Sequence, residues 1–431
     1  MREMKDSGIE WVWEIPKFWD ACLMKRLVTI GSGGTPTDNP SNWNGSIPWV
    51  TPADFDTTQH YIHAGRRCLS QSGFDSCAAT IVPEGSIIFS KRAPIGKVVI
   101  CDQPVSTNQG CLTCIPNPSC DVNYLYYFIA TATEEYELRG SGTTFKEISS
   151  AEFGRTKIVV PSLEEQNAIA NHLDSKCSQI DSIIEKTQQE IEKLKEYRQS
   201  IITEAVTKGL DPNVEMKDSG IEWIGMVPKK WGTPKICYLA TVSSGGTPDR
   251  NNSRYWQGDI PWIKTGELLN EKISQTEEYI TEEGLQNSSA KVYLPETILI
   301  AMYGQGKTRG MTGMLDIEAA TNQACAAIQV NNPSMNNEFL WNVMIGAYDA
   351  IRSIAFGSGQ PNLNAEIIKH FFVPMPPIEE QIEIVKYLSS KREAVDSTLE
   401  AKRKIISRLQ QYKKSLIYEC VTGKKEVTSN A

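Results

Sequence analysis

MKDSGIEW occupies residues 4–11 and returns, letter for letter, at residues 216–223. An octamer does not recur by chance, so the second copy is either a local tag or the edge of a larger repeat. Matches continue outward from it. Gly33-Gly34-Thr35-Pro36 returns as Gly245-Gly246-Thr247-Pro248, and Ile47-Pro48-Trp49 as Ile260-Pro261-Trp262. Thr107-Asn108-Gln109 returns as Thr321-Asn322-Gln323, Gly140-Ser141-Gly142 as Gly357-Ser358-Gly359, and Glu164-Glu165-Gln166 as Glu379-Glu380-Gln381. The order is kept while the offset drifts only from 212 to 217 residues. A period of this length is a duplicated domain-sized unit, far too long for a solenoid repeat.

Each unit closes on a long helix. From Pro161 to Lys208 there is no further Pro or Gly, and apolar residues fall at Ile169, Leu173, Ile180, Ile184, Ile191, Leu194, Ile201 and Ala205. The steps are mostly 3, 4 or 7, a heptad seam. The same register, 215 residues on, gives Ile384, Leu388, Val395, Leu399, Ile406, Leu409, Leu416 and Cys420. Two matched seams predict that the helices pack on each other. Each would be a rod of roughly 65 Å at ~1.5 Å per residue. The globular parts read as mixed. Gly85–Phe89 and Lys97–Ile100 are short, β-branched and bounded by Gly or Pro, hence strands. Asn123–Thr131 and Asn337–Ile345 read as short helices. The chain is therefore α/β (α+β): a strand-rich domain over 1–160, a helix over 161–210, a second domain over 211–376 and a closing helix over 377–431.

Composition narrows the class. Hydrophobic residues make up 40% and charged residues 22%, as in folded proteins rather than disordered ones. No apolar run approaches a membrane span, and the start MREMKDSGIEW has no apolar signal region. Eleven cysteines without framework spacing suit free thiols in a reducing cytoplasm. The net charge of −8 divides as −3, −3, −5 and +3 over the four segments. No segment is strongly basic, so nucleic-acid contact would rest on local loops or on a partner's field.

Catalytic motifs are weak. Gly304-Gln305-Gly306-Lys307-Thr308 ends like a phosphate-binding loop, but Ala301 stands where its first Gly belongs and Gly310 and Gly313 interrupt any following helix. Cys111-x-x-Cys114 has no second ligand pair, and the other half keeps only Cys325, with Ile328 at the second position, which suits buried packing. His60-x-x-His63 has no counterpart, and no nucleophile–base set can be assembled from the four histidines. The chain is expected to be non-catalytic, with no metal and no cofactor of its own.

The two halves share a frame but not their loops. Thr37-Asp38-Asn39-Pro40 faces Asp249-Arg250-Asn251-Asn252. Ser90–Lys97 faces Met302–Arg309, and Thr143–Lys146 faces Gln360–Asn364. Like frames with unlike Arg, Lys, Gln, Asn and Thr loops suit two related but distinct targets, since these side chains read base edges and hold phosphates. An alternative is a coiled-coil scaffold with two ligand-binding heads and no DNA.

The combination resembles the specificity (S) subunit of Type I restriction–modification systems. Pro161-Ser162-Leu163-Glu164-Glu165-Gln166, Pro376-Pro377-Ile378-Glu379-Glu380-Gln381 and the paired octamers carry the resemblance, which spans nearly the whole chain. It implies two target recognition domains and two spacer helices paired antiparallel, with a pseudo-twofold, pseudo-circular arrangement. Met4–Trp11 would then lie near the end of the second helix, around Cys420. It also implies double-stranded DNA as target, with each domain in a major groove over one half of a bipartite site. Thr35, Lys91, Arg92, Lys97 and Lys146 of one unit, and Thr247, Arg250, Tyr303, Lys307, Arg309, Gln360 and Asn362 of the other, are the expected DNA-facing residues. Implied partners are two modification (methyltransferase) subunits and restriction (motor/nuclease) subunits, which would carry S-adenosylmethionine and ATP/Mg²⁺.

Overall fold

The structure, a computed structural model, describes residues 2–56, 59–142, 146–304, 306–354 and 362–427. The chain divides into two compact units, Met1–Thr187 with Lys404–Ala431, and Gln188–Arg403. Each is built on a five-stranded sheet of the same topology. In the first unit the order is Val28–Ser32, Cys111–Pro116, Ile87–Ser90, Val98–Cys101 and Tyr61–Ile62. In the second it is Ala240–Ser244, Cys325–Val330, Ile298–Ala301, Thr312–Leu315 and Glu271–Ile273. All neighbours are antiparallel except the last pair, which is parallel in both units.

The continuous apolar runs of the central strands follow from burial on both faces. Ile87 and Phe89 enter one core and Ile88 the other; Ile298 and Ile300 likewise part from Leu299 and Ala301. Alternation along a strand assigns the faces. The same rule separates Cys111 from Cys114. Three positions apart on one strand, they project into different cores, so these two thiols cannot share one ion. Short helices at Val122–Thr131 and Asn337–Gly346 cover one face, each opened by an Asx cap: Asp121 Oδ1 accepts from Tyr124 N, and Asn336 Oδ1 from Phe339 N.

The central helix runs Leu163–Lys208 and the C-terminal helix Ile378–Val421. All sixteen expected seam positions are buried or half-buried. In the first unit Leu173, Cys177 and Ile180 share a core with Leu416 and Cys420. In the second, Ile202, Ala205 and Val206 share one with Ile384 and Leu388. Ile202 and Val206 lie outside the strict heptad; they are buried because the last turns of the helix also pack on the domain, where Thr203 Oγ1 donates to Gly346 O at 3.0 Å. The helices run antiparallel, as Glu190–Lys402 and Arg198–Asp396, each at 2.7 Å, pair in opposing numerical order.

The repeated Glu-Glu-Gln has a structural reason. Gln166 and Gln381 are almost fully buried on the first turn of their helices. Gln381 Oε1 accepts from Asn336 N at 2.8 Å, and its Nε2 donates to Pro376 O at 2.8 Å and Ser334 O at 2.9 Å. Gln166 makes the matching bonds with Asp121 N, Pro161 O and Ser119 O. The preceding Glu165 and Glu380 accept the indole N–H of Trp19 and Trp231 at 3.1 and 3.0 Å. Each helix is thereby stitched to its own domain.

The octamer forms a hairpin arm, Met4–Asp6 pairing with Glu14–Pro16 and Met216–Asp218 with Met226–Pro228. In both, the Asp carboxylate accepts from the Gly amide two residues on, and that Gly adopts a left-handed φ (+64° and +68°). The N-terminal copy meets the end of the C-terminal helix, as expected. Tyr418 OH donates to Trp11 O at 3.2 Å, Lys424 Nζ to Val12 O at 2.6 Å, and Arg2 lies 3.3 Å from Glu426. Trp11 also packs against Phe128 and Tyr418. Trp223 instead stacks on Phe371 at 5.4 Å, and its indole N–H donates to Phe372 O at 3.1 Å. Among the described residues no helix is long and apolar enough to cross a membrane.

Candidate nucleic-acid interface

The turn Gly33-Gly34-Thr35-Pro36 follows the strand Val28–Ser32 and needs its first glycine for steric reasons: a Cβ on Gly33 would fall on the Thr107 carbonyl. Trp49 Nε1 donates to Gly34 O at 3.0 Å, and Thr35 Oγ1 donates to Gln109 Oε1. The second unit repeats each contact. Gly245 meets Thr321 O, Trp262 Nε1 donates to Gly246 O at 2.9 Å, and Thr247 Oγ1 donates to Gln323. The repeated Gly-Gly-Thr-Pro and Thr-Asn-Gln motifs are thus two halves of one surface feature.

A bulge shapes the ground beside it. Trp43 and Ile47 both register with Leu69, and Trp256 and Ile260 both with Ile280. The extra residues include Asn44 and Gln257 at φ +61° and +63°. Such bulges re-aim side chains. Here Trp43 and Trp49 meet edge-on at 5.1 Å, as do Trp256 and Trp262 at 5.0 Å. Arg250 lies over Trp256 at 3.9 Å and is paired with Glu278.

The first unit's basic loop closes on Ser90, whose Oγ donates to Pro94 O at 2.7 Å and accepts from Lys97 N at 3.0 Å. Lys91 N donates to Gly110 O, joining this loop to the Gln109 turn. Lys91 and Arg92 converge on Glu147, at 2.9 and 3.7 Å, with exposed Lys146 alongside in the chain. Lys97 is half-buried. Thr143–Phe145 lie outside the described residues.

In the second unit Met302 N donates to Ala324 O and Leu363 N to Met302 O, which brings Asn362 and Tyr303 together beside Gln323. Arg352 straps the next loop by donating to Arg309 O at 2.7 Å and Gly306 O at 2.9 Å, and Tyr348 OH donates to Lys307 O at 2.6 Å. Lys307 is exposed and Arg309 half-buried. Gln360 lies outside the described residues, as do Gly357-Ser358-Gly359. The segment Gly304–Thr308 leads into the strand Thr312–Leu315 and not into a helix, so it lacks the helix N-terminus that a phosphate loop requires.

The described residues among those expected form two groups in each unit, the Thr/Gln turn with its tryptophans and the basic loop beside it. Sequence reading missed three features. Glu147 sits as counter-ion to Lys91 and Arg92. Gln109 and Gln323 complete the turn. Arg67 lies 3.3 Å above the Trp43 ring, a place that pairing the halves at Ile-Pro-Trp and reading outward would have reached.

The chain matches the family model of the Type I restriction modification DNA specificity domain over residues 16–193 and 228–412. It is 26% identical over 379 residues to the type I restriction enzyme MjaIX specificity subunit of Methanocaldococcus jannaschii, covering 87% of this chain and 86% of that protein. It is 24% identical over 314 residues to the EcoR124I/EcoR124II specificity subunit of Escherichia coli, covering 68% and 70%. Two solved structures share the fold. One, from work on complex assembly and conformational transition of the type I R-M system, aligns at TM-score 0.75 and 15% identity, with 96% of this chain and 100% of that chain covered. The HsdS subunit from Thermoanaerobacter tengcongensis aligns at TM-score 0.53 and 16% identity, covering 95% and 98%. The chain belongs to the family of type I restriction–modification specificity subunits.

Proposed function

We propose that this chain is the sequence-reading, non-catalytic subunit of a DNA methyltransferase and endonuclease complex. Each unit reads one half of a bipartite double-stranded target in the major groove. One observation carries the reading: two frames alike in sheet order, bulge, turn and Trp pair bear unlike loops at the same edge. Lys91, Arg92, Lys97 and Lys146 face one half-site; Arg250, Tyr303, Lys307, Arg309, Gln360 and Asn362 face the other. Thr35 and Thr247 serve both in the same way. The paired helices set the unread gap and dock two modification subunits, with restriction subunits joining the complete assembly. S-adenosylmethionine and ATP/Mg²⁺ belong to those partners. The acidic balance of this chain fits such sharing, because phosphate neutralisation by partners supplies the salt-sensitive part of affinity.

A mobility-shift selection tests it, using the chain with its modification subunits and randomised duplexes. The expected product is a set of duplexes with two fixed unlike segments, and binding that weakens steeply with salt. Recovery of unselected duplexes would remove sequence reading from this chain. A good bidentate base contact discriminates by roughly 1–3 kcal/mol. Arg92→Ala and Arg309→Ala should therefore each relax a different half of the selected sequence.

A further inference from the structure

One ion pair has changed ends between the two units. Counted from the Gly-Gly-Thr-Pro turn, Asp38 and Arg250 hold equivalent positions. Strand pairing makes the other ends equivalent as well. Leu69 and Ile280 face Ile47 and Ile260, so Arg67, two residues before Leu69, matches Glu278. The first unit thus pairs Asp38 on the loop with Arg67 on the strand at 3.9 Å, and the second pairs Arg250 on the loop with Glu278 directly before the strand Tyr279–Ile280. In both, the guanidinium ends above the equivalent indole, 3.3 Å from the Trp43 centroid and 3.9 Å from that of Trp256. Each arginine side chain remains 50% exposed.

A salt bridge by itself would keep a pair and would not fix which end is positive. What both units keep is a guanidinium at one place, delivered from opposite sides. Stacking on the indole covers one face and holds the plane, and the carboxylate takes one end of the fork, which leaves the rest of the half-exposed edge free to donate. In the first unit the spot is continuous with the Thr35–Gln109 feature through Trp43, Trp49 and Gly34. In the second, Trp256, Trp262 and Gly246 make the same connection. The surrounding loops differ between units, so a group common to both should meet what two unlike half-sites share. That is the phosphodiester backbone, which positions a protein and carries no sequence.

We infer that Arg67 and Arg250 are equivalent phosphate anchors, each stacked on its tryptophan and gripping a backbone phosphate of its own half-site. The inference rests on the DNA-reading function proposed above. The test uses the full chain assembled with its modification subunits and the bipartite duplex that the wild-type assembly selects, titrated over a range of salt. Arg67→Ala and Arg250→Ala should each weaken binding about ten-fold or more, since hydrogen bonds to charged groups are the stronger class. Each should also lower the salt slope by about one and leave the selected sequence unchanged. Arg67→Glu should weaken binding further. Asp38→Arg with Arg67→Glu, which copies the second unit's arrangement, should restore binding and salt slope to near wild type. Melting temperatures of all variants, expected unchanged, separate this from damage to the fold. An unaltered salt slope in Arg67→Ala overturns the inference while the DNA-reading function stands. So does a double variant no better than Arg67→Glu, or a loss confined to one base pair. A wild-type assembly that selects no duplex overturns both.

Discussion

The most demanding prediction concerns Gln381, because it asks why a surface-looking Glu-Glu-Gln tripeptide is written twice. Gln381→Leu keeps the side-chain volume and removes one acceptor and two donors. The Ser334 carbonyl belongs to an exposed residue and can turn to water, whereas the Pro376 carbonyl and the Asn336 N–H sit against buried neighbours. Two stranded buried groups cost about 1–3 kcal/mol each. Leucine recovers part of that by burying apolar surface, on the order of 2 kcal/mol. The middle of that range less the leucine term leaves a net loss of about 2 kcal/mol, and it should fall on the second unit, where helix, loop and the helix Asn337–Gly346 are joined by this one side chain. Gln166→Leu should act alike on the first unit. The assay is urea unfolding followed by far-ultraviolet circular dichroism, with the midpoint lowered at constant slope. A loss below about 0.5 kcal/mol in both variants would refute the reasoning, for it would mean that the helices are held by their apolar seams alone.

Three further outcomes are expected. Leu173→Ala, at a fully buried seam position, should cost about 2–5 kcal/mol, whereas a double-mutant cycle on Asp181 and Lys413 should return less than about 1 kcal/mol, since that ion pair is half-exposed; the reverse order would make charge the holding force. Thiol titration at mildly alkaline pH should label Cys237 first and the half-buried Cys22, Cys68 and Cys77 more slowly, while the seven buried thiols wait for denaturant. Burial pushes Cys114 and Cys325 up to about 12, and rapid labelling of either in the folded chain would contradict the two-faced sheet. Burial also lowers the pKa of His60 against the counter-effect of Asp174, so its protonation favours the unfolded chain. That contribution is fully present above pH ~6.5 and is lost as pH falls through the lower folded value. His60→Gln should flatten this acid limb of the stability curve, and an unchanged limb would remove His60 from it.

The duplication and the helical seams were legible because periodicity survives without three-dimensional context. Ile169 to Ala205 and Ile384 to Cys420 carry the heptad in plain letters, and both proved buried or half-buried. The N-terminal octamer could be placed near Cys420 only through the family resemblance, since nothing local ties residue 11 to the Tyr418 it meets. The interface was harder. Lys91 and Arg92 stand out as charges, but Glu147, which sits between them, arrives by a crossing of the chain that no spacing reveals. Thr35 and Gln109 were seen as separate repeats, because their hydrogen bond closes a gap of 74 residues. Arg67 went unnoticed for a different reason. The duplication was read as sameness of residues, and the Asp38–Arg67 and Arg250–Glu278 pairs are the same only in space.

On the function proposed above, two unlike reading surfaces act on one duplex. Mapping methylated bases genome-wide in cells carrying this chain with its modification subunits addresses it most directly. The expected result is one chain-dependent motif of two different fixed segments separated by an unspecified gap of constant length. A single uninterrupted motif, or methylation that does not change when the chain is removed, would contradict it.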